Sequence, residues 1–204
     1  MNPQDYTYWE NRSLEEMKSD WGGETYEQSI SHPHRKLILR MLDLFEPLKE
    51  GILEVGCNTG PNLLRIREKY PKIHLAGTDA NKEAIEKAKE LLPRRAIFIH
   101  DSSPYLFFND KSFDVVIADA VLMYIKDVRT TLEEMKRVAR KGIILVDWWT
   151  DKDEEIIDYH WARNYPKILS EMGFGVTAKK LTEEDWPNST KWQKQGYIFT
   201  AALA

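Results

Sequence analysis

The chain has 204 residues, 42% of them hydrophobic and 30% charged, which is the make-up of one folded domain and not of a disordered chain. Its net charge of -4 leaves no basic surplus to draw in a phosphate backbone, and no apolar run approaches the roughly 20 residues that cross a membrane. The single cysteine excludes an intrachain disulfide and suits a reducing cytoplasm, and the polar opening Met1-Asn-Pro-Gln-Asp-Tyr6 lacks the apolar run of a secretory signal.

Residues 1–35 are polar with interspersed rings (Tyr6, Tyr8, Trp9, Trp21 and Tyr26), and Gly22-Gly23 marks a turn. Leu37, Ile38, Met41, Leu42 and Phe45 recur at helical spacing, which predicts an amphipathic helix over 34–48 closed by Pro47 and Gly51. From Gly51 to Asp147 strand and helix patterns alternate. Ile52-Leu-Glu-Val55 predicts a strand buried on both faces, 62–70 a helix stopped by Pro71, 73–78 a second strand and 81–92 a helix. Strands over 96–100 and 113–118, a helix over 128–140 and a fifth strand over 142–146 follow. This alternation means βαβ units and a parallel sheet with right-handed crossovers. Beyond Asp147 the pattern reads as mostly helical over 151–172, interrupted by Pro166. Two strands, 173–178 and 196–201, then flank a long polar loop holding Trp186, Pro187 and Trp192. The expected fold is α/β: a Rossmann-like, mostly parallel seven-stranded sheet with helices on both faces and an antiparallel C-terminal strand pair. Residues 1–50 read as an N-terminal helical and aromatic cap, and 51–204 as the sheet domain.

In Gly51-Ile-Leu-Glu-Val-Gly-Cys-Asn-Thr-Gly60 a strand, a glycine turn and a helix start meet, so free backbone N–H groups and a helix N-terminus are expected at one point. Cys57 reads as structural, because the turn needs a small side chain and no histidine is near it in sequence. The carboxyl ends of the predicted strands, where open α/β sheets bind ligands, are acidic in succession: Asp79, Asp101, Asp119 and Asp147, with Glu54 inside the first strand. A lone carboxylate there is usually a cap or a turn former; four on one rim point to a site. Asp114 begins its strand, belongs on the opposite rim and reads as structural. Asp79 can accept both hydroxyls of a ribose, which suggests a nucleoside cofactor. A nicotinamide turn needs G-x-G-x-x-G, and counted from Gly56 the later glycine positions hold Asn58 and Pro61. Asn58 tolerates a left-handed backbone.

Glu54-x-Gly56-x-Asn58-x-Gly60 closely resembles the first motif of class I S-adenosylmethionine-dependent methyltransferases, acidic-x-Gly-x-Gly-x-Gly, and departs from it at Asn58. Gly77-Thr-Asp-Ala80 looks like the family's ribose motif, His100-Asp101-Ser102 like its adenine motif and Phe113-Asp-Val-Val-Ile-Ala-Asp-Ala-Val-Leu-Met-Tyr124 like its fourth-strand motif. Residues 132–146 look like the helix and strand that follow. In the family's order, these cover about residues 35–147 plus the terminal strand pair. The resemblance implies S-adenosyl-L-methionine as cofactor, with Glu54, Gly56, Asn58 and Gly60 at its methionine part. It implies Asp79 and Ala80 at the ribose, Asp101 and Ser102 at the adenine edge, and Asp119 and Ala120 at the methionine amino group. Arg35 is a candidate for the methionine carboxylate, or else a solvated arginine at a helix start.

Candidates for a general base are Asp119, Tyr124, Asp147 and His160. His160 and Arg163 are three apart in a stretch read as helical and could share a face; His160 could equally be a packing histidine, and Asp147 a cap. All seven tryptophans lie outside residues 22–147, which predicts an aromatic lid from both ends of the chain over the substrate, or the lid's own small core. Asp119-Ala-Val-Leu122 stands where DNA amino-methyltransferases carry Asn/Asp-Pro-Pro-Tyr, so the expected acceptor is a small molecule with an O or N nucleophile, with a protein side chain as the alternative, and not a nucleic acid. No metal is expected: His32 and His34 are two apart, with no third ligand evident. The rival readings are an NAD(P)-dependent oxidoreductase and a non-catalytic S-adenosylmethionine-binding partner module.

Overall fold

The computed structural model describes residues 6–16, 26–94, 96–102, 104–157 and 160–203. Trp21, the Gly22-Gly23 turn and Asp158-Tyr159 lie outside the described residues, as do the side chains of Tyr6 and Tyr26. In chain order, helices α1 (Tyr6–Glu10), α2 (Tyr26–Ser31) and α3 (His34–Asp43) lead into β1 (Ile52–Val55). Then come α4 (Pro61–Lys69), β2 (Leu75–Asp79), α5 (Lys82–Leu91), β3 (Ala96–His100), β4 (Phe113–Asp119), a 3-10 turn at Leu122–Tyr124, α6 (Val128–Val138) and β5 (Ala139–Trp148). The C-terminal part holds β6 (Glu154–Ile157), β7 (His160–Ala162), α7 (Tyr165–Glu171), β8 (Phe174–Lys180), α8 (Thr190–Gln195) and β9 (Gly196–Leu203).

Seven strands form one sheet in the order β3-β2-β1-β4-β5-β9-β8, parallel through β5 and closed by the antiparallel β9 and β8. This is the expected architecture. Period-two alternation divides each central strand between two cores. On β4, Val115 and Ile117 pack with Leu37, Ile38, Leu63, Ile66 and Ile85 of α3, α4 and α5. Val116 and Ala118 pack with Leu132, Met135 and Leu169 of α6 and α7 on the other face. Each fully buried Leu or Ile contributes roughly 1.5–3 kcal/mol, so the sheet is a rigid frame. Glu54 shares the parity of Ile52 and therefore belongs to the α3–α4 face.

Local signals end the elements where expected. Gly60, left-handed at φ 81, and Pro61 open α4, and Asn81 caps α5 by accepting from the Ala84 N–H at 2.8 Å. Asp114, on the far rim, accepts from the N–H groups of Lys49 and Glu50, a structural role.

Residues 151–172 differ from expectation. In place of a mostly helical stretch, β6 and β7 form a two-stranded antiparallel sheet pairing Glu154 with Ala162 and Glu155 with Trp161, and only then does α7 begin. Pro166 opens that helix, with Asn164 as cap accepting from the Lys167 N–H at 3.1 Å, so the proline marks a start and not an interruption. His160 is thus on a strand and shares no helical face with Arg163. The fifth strand also runs past Val146 to Trp148, because β9 pairs with it as far as Trp148↔Gly196; Asp147 is inside the strand and buried, not in a loop beyond it. Among the described residues no helix is long and apolar enough to cross a membrane.

Candidate active site

Strand order reverses between β1 and β4, which pair in parallel with Val55 opposite Ala118. The crevice beyond their carboxyl ends is the topological switch point, and the glycine turn and Asp119 both open into it. The turn takes positive φ at Gly56 (70), Asn58 (49) and Gly60 (81), so Asn58 does hold the left-handed conformation its amide allows. A Cβ on Gly56 would fall 2.3 Å from Val121 Cγ2. The expectation of free N–H groups in this turn is corrected. Cys57 donates to the Thr78 carbonyl, Asn58 to Asp79 Oδ2 at 2.7 Å, Thr59 to its neighbour Asn58 Oδ1, and Gly60 to the Cys57 carbonyl. Two of these donors are satisfied by β2 and two within the turn, since buried backbone N–H groups need partners. Cys57 is free and buried, and burial first, then the nearby acids Asp79 and Glu54, push its thiol well up, as suits a structural residue.

A buried polar network fills the α3–α4 side of the crevice. Asn62, on the first turn of α4, donates Nδ2–H to Glu54 Oε1 at 2.6 Å and to Asp119 Oδ2 at 2.8 Å. Arg35 on α3 is 4% exposed; it donates to Asn62 Oδ1 at 2.7 Å, to the Ser29 carbonyl at 2.6 Å and to Asp119 Oδ2 at 3.4 Å. It is therefore not a solvated arginine. His34 Nε2 lies 2.8 Å from Asp119 Oδ2, and His32 Nδ1 lies 2.5 Å from His34 Nδ1. Three groups thus face one oxygen of Asp119, while Asp119 Oδ1 and Glu54 Oε2 are buried with no hydrogen-bond partner among the described residues.

Burial alone would raise the Asp119 carboxyl, but the His34 ring, the Arg35 guanidinium and the Asn62 amide outweigh it and hold the acid well below the usual carboxylate range. Glu54 goes the other way: burial pushes it up to about 8, only partly opposed by the Asn62 amide. Burial also lowers the His34 ring against the pull of Asp119, so the imidazole is neutral and donates to an ionised carboxylate.

Asp79 closes β2 beside the turn, with Oδ2 accepting from Asn58 and Oδ1 from the Asn81 N–H at 2.8 Å. Each oxygen keeps a lone pair for a further donor. Ala80 accepts from His100 Nε2 through its carbonyl, and Ser102 Oγ donates to Glu10 Oε1 at 2.8 Å. Asp101, after β3, donates its backbone N–H to the Asp79 carbonyl. Ala120, left-handed at φ 56, follows Asp119 and donates to the Val146 carbonyl. These residues share one rim. Asp147 stands apart from them: its buried carboxylate accepts from the N–H groups of Met123 at 3.1 Å and Trp148 at 2.7 Å, tying the 3-10 turn to β5. Burial raises it to about 7.

Rings from three parts of the chain meet over this rim. Trp9 lies 4.8 Å from Tyr124, Tyr124 4.8 Å from His160, His160 5.6 Å from Trp148, and Trp148 5.9 Å from Trp192. Trp192 stacks on Trp186 at 3.8 Å, and Trp186 on His34 at 4.3 Å. Trp186 is one of the tryptophans expected over the substrate, whereas His32, His34 and Asn62 had no site role in the sequence reading. Asn62 had one faint signal, a polar residue in the first turn of a helix that follows Gly60-Pro61. For the two histidines the only signal was that they flank Pro33 next to Arg35.

A family model described as "Methyltransferase domain" matches residues 53–146. Among curated proteins the chain is 23% identical to N-methyltransferase 4 of Papaver somniferum, over 87% of this chain and 47% of that protein. It is 24% identical to a trans-aconitate 2-methyltransferase of Variovorax paradoxus over 64% and 49%, and 29% identical to the O-methyltransferase resE of Aspergillus sclerotiorum over 83% and 67%. The chain spans about half the length of the first two. In fold it is similar to magnesium protoporphyrin IX methyltransferase from Synechocystis with bound SAH, at a TM-score of 0.71 and 12% identity, over 98% of both chains. It is also similar to the plantazolicin methyltransferase BpumL in complex with a pentazolic desmethylPZN analog and SAH, at a TM-score of 0.70 and 14% identity, over 99% of this chain and 95% of that one. Residues 53–146 thus match a methyltransferase domain, and the chain shares its sheet order and fold with solved methyltransferases.

Proposed function

We propose that this protein transfers a methyl group from S-adenosyl-L-methionine to an oxygen or nitrogen of a small-molecule acceptor. The carrying observation is Asp119 Oδ1, an oxygen of an ionised carboxylate buried without a partner at the switch point, beside the unpartnered Oε2 of Glu54. A buried acceptor costs free energy until something donates to it, and a cationic ligand does so best. The site residues fit the cofactor on that ground. Glu54, Asp119 and Ala120 would face the ammonium and sulfonium charges; Arg35, fixed by Ser29 and Asn62, would supply the positive charge for the methionine carboxylate. Gly56, Asn58 and Gly60 would shape the turn along the methionine part, Asp79 and Ala80 would hold the ribose, and Asp101 and Ser102 the adenine edge. S-adenosylmethionine supplies an electrophilic methyl group on a good leaving sulfur.

The chain's own task is then alignment and exclusion of water. Residues 1–50 serve as the cap of the domain 51–204. Asn81 Nδ2 donates to the carbonyls of Trp9 and Arg12 at 2.8 and 2.6 Å, which seats α1 on the rim and brings Trp9 to Tyr124. The aromatic arc forms the acceptor's wall, with Tyr124 and His160 along it. A small acceptor is favoured by this aromatic setting and by relatives named for N-methylation, O-methylation and trans-aconitate methylation. The lone free cysteine suits a cytoplasmic protein.

Calorimetric titration with S-adenosylmethionine, S-adenosylhomocysteine and NADH in parallel tests the cofactor; the first two are expected to bind and NADH to give no heat. Silence from both sulfur compounds would overturn the proposal, and binding without turnover on any acceptor would favour a non-catalytic module.

A further inference from the structure

His32 and His34, which the cofactor roles leave unused, form a hydrogen-bonded chain that ends on Asp119. Its proton positions follow from its last member. Asp119 is ionised and accepts only, so His34 must carry its proton on Nε2, which lies 2.8 Å from Oδ2. The Nδ1 of a neutral His34 is then a lone pair. His32 Nδ1, at 2.5 Å, must donate to it. The remaining nitrogen, His32 Nε2, is left as a lone pair, and it has no hydrogen-bond partner among the described residues. The His34 ring is 3% exposed and clamped under Trp186, whereas His32 is half-buried with Trp186 beside it at 4.8 Å. The chain therefore runs from the buried carboxylate out to the end of the aromatic arc.

We propose that His32 is the proton acceptor for methyl transfer to a hydroxyl group, with His34 and Asp119 as positioning residues that hold its basic nitrogen outward. This rests on the methyltransferase reading of the same site. In the step, the acceptor's oxygen pair forms the new bond to carbon and the sulfur keeps the pair of the broken S–C bond. The O–H bond breaks toward His32 Nε2, which becomes an imidazolium and later releases the proton to water. The carboxylate two links away stabilises that imidazolium, as in other carboxylate–histidine pairs. The charged and titratable groups facing the pair are Arg35 on its own helix, Asp119 from β4 and Asp185 from the C-terminal loop. Burial, with His34 and Arg35, lowers His32 to about 4, so its lone pair is available at neutral pH. So weak a base suits a hydroxyl, because an oxygen that gains a methyl while still protonated is a far stronger acid than an imidazolium. A carboxylate acceptor has no proton to lose, and a methylated amine does not become a comparably strong acid.

Two measurements on the full chain decide the matter. Nitrogen NMR of histidine-labelled protein, with S-adenosylhomocysteine added and no turnover required, should show Nε2–H on His34 and Nδ1–H with bare Nε2 on His32 at neutral pH. The opposite tautomers, or a charged His32, would overturn the proposal. In the second, methyl transfer to resorcinol, benzoate and piperidine is compared in wild type and His32→Gln, with cofactor binding followed by calorimetry. The expected result is methylation of resorcinol, with kcat lower by about 10²–10⁴-fold in the variant. KM and cofactor affinity should be held, and the lost rate should recover as pH rises and ionises the hydroxyl. A variant with unchanged kcat and pH profile, or wild-type transfer to benzoate or piperidine alone, would overturn it. If the wild-type protein binds no cofactor, the methyltransferase reading fails, while the tautomers still report on the relay.

Discussion

The backbone N–H of Asn58 donates to Asp79 Oδ2 at 2.7 Å, so the glycine turn after β1 and the acid that closes β2 are one unit. Asp79→Ala should therefore act twice. Cofactor affinity should fall by about 1.5–3 kcal/mol for each charge-assisted hydrogen bond lost, and the melting temperature should fall because the N–H groups of Asn58 and Asn81 lose their acceptor. Calorimetry and thermal melts measure the two effects separately; unchanged affinity would remove Asp79 from the ribose site.

Gly56→Val should abolish cofactor binding and destabilise the fold. The position has φ 70, and a Cβ there would meet Val121 Cγ2 at 2.3 Å. Overpacking costs about 1–3 kcal/mol, and the left-handed backbone about 1–2 kcal/mol more. In a Gly56→Ala background, Val121→Ala should recover the packing part only. Full recovery in a denaturation midpoint would show that backbone strain is negligible there.

Burial raises the Glu54 carboxyl from the usual 4.5 to about 8, so over that interval the folded chain holds a proton that the unfolded chain has released. The stability it contributes is complete below about pH 4.5 and is lost as pH rises through about 8. Glu54→Gln removes this dependence. The variant should melt above wild type at alkaline pH, and the difference should narrow toward pH 5. A pH-independent difference would contradict the burial account.

Arg163 is 2% exposed and donates to the carbonyls of Leu122, Ile125 and Lys126, which fasten the 3-10 turn under Tyr124. Arg163→Met keeps the bulk but strands those carbonyls and removes a positive charge that opposes the burial shift of Asp147. Each lost charged hydrogen bond is worth about 1.5–3 kcal/mol, so the denaturant midpoint should drop sharply. A midpoint within error of wild type would mean that solvent replaces the guanidinium.

The parallel core was legible because its determinants are local. An apolar run such as Ile52-Leu-Glu-Val55 has only one comfortable burial, the left-handed positions 56, 58 and 60 of the turn suit glycine and asparagine, and acids ending successive strands fall on one rim whatever the loops do. The 151–172 stretch was misread for the complementary reason: its strand pairing depends on partners found in space, and Pro166 could be placed as a helix start only once Asn164 was seen capping it. The same holds for the polar network. Glu54, Asn62 and Asp119 come from three separate elements, and Arg35, His34 and His32 from α3 and the residues before it; none of their spacings is periodic. Sequence alone determined the sheet, the turn and the family's motifs. Only the tertiary structure decided that Asn62 bridges two acids, that Arg35 is buried and that two histidines line up on Asp119, because hydrogen bonds between distant residues depend on how helices pack on the sheet and leave no local pattern behind.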